Sequence, residues 1–362
     1  MINIEEIAEY FNEIFRLYGQ KIMVENVELV IFFKNRKFWD SLLSDCSING
    51  TKFIIFTGGE PLLRADVFEI LEYSSQIGLR TLLATNGTLL DDKKADFLSK
   101  LKNVFVQISI DGLSSVHDKF RGSKDAFVNA INGITLCKRY GVGVSISFTC
   151  TKLNIKEIPK IISLAEKLNV KTLKLRRFIA SGRGLDNINT LDLTPDEVKN
   201  TVEKYQRLKT ESRNKVKINM EQAPFQVLCD GTILGHDKNI HGGCSAGIAL
   251  CVIGPTGIVR PCPSLGIDIG NIRESNLQTI WESSEILANL RNRKNLYGRC
   301  GICDYRSSCG GCRAAAYAQA GDCLAEDPMC WHDPPALVVE YKNVARIKMP
   351  RITVGVMQNL IV

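Results

Sequence analysis

No apolar run in this sequence approaches the roughly 20 residues that a membrane helix needs, which excludes a membrane-spanning helix, and no membrane partner is expected. There is no internal repeat and no low-complexity segment, which excludes a solenoid or a disordered linker. Met1 to Gly19 lacks the basic-then-apolar layout of a secretory leader and is instead acidic and helical in character; a cytoplasmic protein is expected. Histidine is scarce, with four in 362 residues. His332 follows Cys330 closely, and His236 and His241 precede Cys244; each reads more simply as a solvated or satisfied side chain than as a ligand. Cysteine is nearly missing from the start of the chain, where Cys46 is the one cysteine before Gly58.

What is present is ordinary in bulk and unusual in detail. The length of 362 residues suits about two domains, and 45% apolar residues is typical of a globular protein. The net charge of +7 is spread over many short clusters, so solvated faces are expected and no nucleic-acid partner. Thirteen cysteines are many for a reducing compartment. Their odd number and their clustering argue against a secreted disulfide framework.

Residues 4–18 have the stripe of an amphipathic helix, with Ile4, Ile7, Phe11 and Phe15 on one side. Val27–Phe33 reads as a strand and Phe38–Cys46 as a short helix. Apolar runs at Phe53–Phe56, Leu79–Ala84, Val104–Ile110, Val142–Phe148 and Lys171–Leu175 read as buried parallel strands. Helical patterns near 66–77, 91–101, 124–140 and 155–168 lie between them. Such alternation predicts a parallel α/β sheet or barrel. Thr194-Pro195-Asp196-Glu197 is a helix start with a Thr cap, Pro at the first position and Glu three residues after the cap. That helix is expected to run to about Ser212, followed by a strand over Lys215–Met220. The rhythm stops near 221–241, so a boundary is placed near 222. Beyond it, Cys251–Cys262 reads as two short strands across a Gly-Pro-Thr-Gly turn, and Asn276–Arg291 as helix.

Chemistry concentrates in the last third. Cys300, Cys303, Cys309 and Cys312 fall within thirteen residues. A CxxC turn presents two sulfurs on one side of a tight loop, which suits a soft metal centre. Cys244, Cys251, Cys262 and Cys330 bring the total to eight thiols, enough for two four-thiolate sites holding either two iron–sulfur clusters or two zinc ions. Cys137, Cys150, Cys229 and Cys323 have no evident partner; for Cys137 and Cys150 a buried apolar thiol is expected.

Three further motifs occur in order, each at the C-terminal end of an expected strand: Phe56-Thr-Gly-Gly-Glu-Pro61, Thr85-Asn-Gly87 and Ile108-Ser-Ile-Asp-Gly112. With them the chain resembles the radical S-adenosylmethionine (SAM) family from about Phe38 to Asp333, and the cysteine block resembles that family's SPASM domain. The texture of Arg177–Gly184, Cys312–Gly321 and Ala325–Pro328 is similar to the branch that modifies haem precursors. Branches that mature peptides or tungsten and molybdenum enzymes stay open.

The resemblance implies a partial (β/α)6-type barrel over 51–221, an atypical segment over 1–50, a SPASM domain over 222–332 and a tail over 333–362. It implies that Gly58, Gly59, Glu60, Pro61, Asn86, Ser109, Asp111 and Arg121 lie at bound SAM, with Glu60 taking its ammonium. For each the plainer reading is a strand-to-helix turn or a solvated loop. It implies two auxiliary [4Fe–4S] clusters in interleaved fashion, one on Cys244, Cys251, Cys262 and Cys312, the other on Cys300, Cys303, Cys309 and Cys330. The partners implied are a small-molecule or peptide substrate and a reductant such as a ferredoxin or flavodoxin.

The chain departs from the family at one place. The SAM-cleaving cluster of that family rests on a CxxxCxxC loop after the first strand. Here Val27–Phe33 runs through Lys34-Asn-Arg-Lys37 directly into a helix. A third [4Fe–4S] cluster is therefore not supported. Three accounts stand: a rearranged start, lost radical chemistry with retained auxiliary clusters that act as a scaffold or electron carrier, or ligands supplied by a partner.

Overall fold

Strands that are buried on both faces and separated by amphipathic helices have one economical arrangement, a parallel sheet covered by its own crossovers. The computed structural model describes residues 26–30, 36–211, 216–221, 223–224 and 243–335. The helix expected over 4–18, the residues of the first strand beyond Val30, Cys229, His236, His241 and the tail from 336 onward lie outside the described residues.

The first part alternates as expected: β1 (Asn26–Val30), α1 (Arg36–Ile48), β2 (Phe53–Thr57), α2 (Val67–Gln76), β3 (Arg80–Thr85), α3 (Asp92–Lys100) and β4 (Val104–Ser109). It continues through α4 (Ser114–Arg121), α5 (Ala126–Arg139), β5 (Val144–Cys150), α6 (Ile158–Lys167), β6 (Thr172–Arg177), α7 (Ile188–Leu191), α8 (Pro195–Glu211) and β7 (Lys217–Glu221). The cysteine-rich part contributes β8 (Leu250–Ile253), β9 (Ile258–Arg260), β10 (Gly270–Asn271), α9 (Leu277–Ser283), α10 (Glu285–Arg291), α11 (Arg299–Ile302) and α12 (Arg313–Ala320).

The ten strands among the described residues form one sheet in the order β10-β9-β8-β1-β2-β3-β4-β5-β6-β7. Strands β1 to β7 pair in parallel with their sequence neighbours, and β8 pairs in parallel with β1, Val27 opposite Cys251. Strands β9 and β10 turn back antiparallel. Among the described residues the two end strands, β10 and β7, do not pair with each other, so the α/β sheet stays open. The division near 222 thus does not separate two sheets, because β8 extends the sheet on the far side of β1.

The core is the inside of this sheet and the helix layer around it. Ile54, Phe56, Leu83, Val106, Ile108, Ile146, Phe148, Leu173 and Leu175 are fully buried, each contributing about 2 kcal/mol by removal from water. Trp39 of α1 lies edge-on to Phe56 at 6.2 Å and closes the core over β2. The capping box of α8 is present: Thr194 Oγ1 accepts from the Glu197 amide at 3.2 Å, and Glu197 Oε2 accepts from the Thr194 amide at 2.8 Å.

Two expectations needed correction. The helix expected over Asn276–Arg291 is two helices, broken at Ser284, whose hydroxyl accepts from the Leu287 amide and starts α10. The loop expected around His117–Gly122 is helix α4, which ends at the left-handed Gly122. Its polar composition hid a helix that buries one residue, His117. No described helix is long and apolar enough to cross a membrane.

Candidate functional site

Because β2 to β6 are parallel, their C-terminal ends lie along one rim, and the three motifs meet there. At the end of β2, Gly58 and Gly59 are exposed, and Gly58 has φ 147°, a backbone that a side chain rarely adopts. Glu60 follows as the cap of a short turn. Its Oε1 accepts from the Leu62 amide at 3.0 Å and the Thr85 hydroxyl at 2.6 Å, and its Oε2 from the Asn86 amide at 2.8 Å. A carboxylate has about four acceptor positions. Two of these bonds tie the end of β2 to the end of β3 and the third caps Glu60's own turn, which leaves one position for a cationic ligand. Pro61 is buried beneath this turn.

Asn86 makes a local turn, its Oδ1 accepting from the amide and hydroxyl of Thr88 at 2.8 and 2.7 Å. Gly133 of α5 must be small, because a Cβ there would stand 2.6 Å from the Gly87 carbonyl oxygen, and Gly87 itself has φ 80°. Ser109 ends β4, half-buried. Asp111 is fully buried and densely wired. Its Oδ1 accepts from the Thr149 amide at 2.8 Å, its carboxylate pairs with Arg121, its amide donates to His117 Nδ1 at 2.9 Å, and its carbonyl accepts from Asn154 Nδ2 at 2.9 Å. Arg121 and Asp111 therefore spend their charges on each other, from a helix rather than a solvated loop. The residues the sequence reading missed here are His117, Thr149 and Asn154, which hold the rim beneath Asp111. Burial lowers the His117 pKa.

Seven of the eight expected cysteine ligands fall into two neighbourhoods, and Cys251 lies in neither. The acidic groups acting on Cys262 are Cys244 and Cys312, and Cys244 acts on Cys312 in turn. Cys303, Cys309 and Cys330 each feel Cys300, and Cys303 and Cys309 also feel Cys330. Cys251 stands apart: it is a core residue of β8 whose acidic neighbour is Cys46 of α1. Burial pushes the free thiols up, Cys303 to about 12 and Cys330 to about 11, with Cys262, Cys309 and Cys312 also raised.

Donors already point at these sulfurs. The amides of Ser264, Tyr305, Gly311 and Asp327 lie 3.3, 3.3, 3.4 and 3.4 Å from the sulfurs of Cys262, Cys303, Cys309 and Cys300. Such a cradle is more useful to thiolates than to neutral thiols. The Cys309-Gly-Gly-Cys312 turn needs both glycines in the left-handed region, φ 66° and 60°, and a Cβ on Gly311 would sit 2.9 Å from Cys300 Sγ. The two groups also touch, the Cys244 amide donating to the Cys309 carbonyl at 3.1 Å.

Three buried arginines surround the groups. Arg177, at the end of β6, forms a two-pronged ion pair with Asp327, and Asp327 Oδ2 also accepts from the Cys312 amide at 2.7 Å. Arg313 donates to the carbonyls of Cys323 and Ala325, with Nη2 3.6 Å from Cys300 Sγ. Arg293 Nη2 donates to the Cys244 carbonyl at 2.6 Å. A cavity of about 10 Å³, room for one water, lies between Arg177, Phe178, Ala315 and Pro328. It joins the three segments whose texture the sequence reading singled out.

A site for a SAM-cleaving cluster does not fit these residues. After β1 the next cysteine is Cys46, on the buried side of α1, 1% exposed, with its thiol pushed up to about 12 by burial. No CxxxCxxC occurs anywhere in the 362 residues.

The family model described as the radical SAM superfamily matches residues 42–165, and that of the SPASM iron–sulfur cluster-binding domain matches 244–304. The "AdoMet-dependent heme synthase" of Methanosarcina barkeri is 35% identical over 298 residues, covering 79% of this chain and 84% of that one. The protein of the same name from Oleidesulfovibrio alaskensis is 32% identical over 295 residues, 79% and 76% of the two chains. Among solved structures, Streptococcus suis SuiB bound to S-adenosylmethionine superposes with a TM-score of 0.71 over 91% of this chain and 82% of that one. At 16% identity that likeness carries the fold alone.

Proposed function

For a chain that belongs to the radical SAM superfamily and carries its SPASM iron–sulfur cluster-binding domain, we propose the function of a SAM-dependent oxidoreductase of the haem-precursor-modifying branch. SAM lies along the rim formed by Gly58, Gly59, Glu60, Pro61, Asn86 and Ser109, its ammonium on the free acceptor position of Glu60. Asp111 and Arg121 support that rim from below. Residues 51–221 hold SAM, and 222–332 hold two auxiliary clusters. One cluster rests on Cys300, Cys303, Cys309 and Cys330. The other rests on Cys244, Cys262 and Cys312, with Cys251 kept in the core. When bound, such clusters accept and pass on single electrons. A one-electron reductant of the ferredoxin or flavodoxin type completes the set of partners.

The observation that carries this reading is the interleaved grouping of the thiols together with the amides aimed at four of them. Zinc fits less well. Four thiolates at about 2.3 Å from one zinc lie about 3.8 Å from each other. Among the described residues no three of these sulfurs lie within 4.8 Å of one another; the one compact trio is Cys303, Asp304 and His332.

The radical step needs three thiolates that these residues do not supply. That lack favours a second reading, an iron–sulfur protein that binds the precursor and carries electrons without cleaving SAM. Anaerobic reconstitution separates the two. About eight irons and matching sulfide are expected. Release of 5′-deoxyadenosine from SAM by this chain supports the oxidoreductase, and its absence at full iron supports the carrier. Two zincs and a colourless protein would overturn both.

A further inference from the structure

Arg293 begins the short turn Arg293–Asn295 that follows α10, and it lies 9% exposed. One of its nitrogens, Nη2, is used on the Cys244 carbonyl. The other two, Nε and Nη1, are buried and have no hydrogen-bond partner among the described residues. The charged groups acting on it are, in order, Cys244, Arg313, Cys309 and Cys300. Cys244 belongs to one thiol group, Cys309 and Cys300 to the other. The guanidinium is wedged in place, since a Cβ on Gly310 would fall 1.8 Å from Nη1.

A buried guanidinium with two idle donors and a second arginine nearby is costly on its own. The cost is offset if anionic centres occupy both sides of it. Arg313 is different, because its donors go to the carbonyls of Gly311, Cys323 and Ala325 and its one sulfur contact is Cys300. We propose that Arg293 is a cation shared by the two auxiliary clusters, its idle N–H groups donating toward both and holding both reduction potentials up. The inference rests on the two-cluster reading above. Each electron taken from a reductant adds one negative charge to a cluster, so a fixed neighbouring cation favours the reduced form of each.

The test uses the full chain, reconstituted without oxygen, titrated with dithionite and followed by electron paramagnetic resonance. In Arg293→Met both midpoints are expected to fall, the ratio of reduced to oxidised cluster at fixed potential dropping about tenfold, about 59 mV for a one-electron couple. Iron content should match the parent, and Arg293→Lys should restore most of the shift. Should Arg293→Met lose iron, Arg293→Lys at full iron carries the comparison, with midpoints expected below the parent. Unchanged midpoints at full iron overturn the proposal, and a shift in one cluster alone overturns the sharing. A parent chain that binds fewer than two clusters sinks the cluster reading itself, which is a separate and earlier failure.

Discussion

Arg177 and Asp327, 150 residues apart in the chain, bury a two-pronged ion pair with N–O distances of 3.1 and 3.2 Å at the junction of β6 and the cysteine-rich part. Both are almost fully buried. Breaking such a pair from one side strands a charge, and Arg177→Met should cost about 3–5 kcal/mol in chemical denaturation. The double variant Arg177→Met with Asp327→Leu should recover part of this, though not all, because the Cys312 and Met329 amides also lose their acceptor.

His117 gives the pH dependence. Its Nδ1 accepts the Asp111 amide, so the ring must stay neutral there. Burial, aided by Arg121 and opposed by Asp111 and Asp118, sets its folded pKa below the usual 6.5. The folded state then binds fewer protons than the unfolded state in the acid range. Stability is fully present above 6.5 and is lost as pH falls through the folded pKa. Thermal melting from pH 7.5 down to about 5 should show this loss. In His117→Asn, whose Oδ1 can accept the same amide, the slope should flatten.

The ligand sets make opposite predictions for two buried cysteines. Cys309→Ala should remove one cluster, about four irons. Cys251→Ser should leave the iron count unchanged, while costing about 1–3 kcal/mol for a hydroxyl placed in an apolar site. Colorimetric iron and sulfide assays with denaturation curves read both. Loss of iron from Cys251→Ser would return that residue to the first ligand set.

At Gly133 the neighbour is backbone, which cannot swing aside. Gly133→Ala should push α5 from the Asn86-Gly87 loop and cost about 1–3 kcal/mol. SAM affinity, measured by calorimetry, should fall with it, because that loop and Glu60 share the hydrogen bond from the Asn86 amide.

Much of the barrel is legible from local pattern. The runs at Phe53–Phe56 and Leu79–Ala84 name their strands because both faces are buried, and Thr194–Glu197 names a helix start through reciprocal side-chain and backbone bonds. What escaped is non-local. Nothing near Cys251 announces that β8 pairs with β1, since a parallel partner more than 200 residues away leaves no local trace. A buried arginine looks like a surface one in sequence, so Arg177 and Arg293 fell among the charges expected on solvated faces, and Arg313 went unread; all three are buried. The rim motifs were found, but the network below Asp111 was not, because His117, Thr149 and Asn154 come from three separate elements.

The pairing of β8 with β1 has a consequence for how the molecule survives. A chain severed ahead of Gly243 would strip one side of β1 of its hydrogen-bonding neighbour and leave a bare row of amides and carbonyls, a template for self-association. The cysteine-rich part is thus a splint for the parallel strands that precede it, and if it holds the proposed clusters, failed metal loading should surface as precipitation in the test tube well before any question of turnover arises.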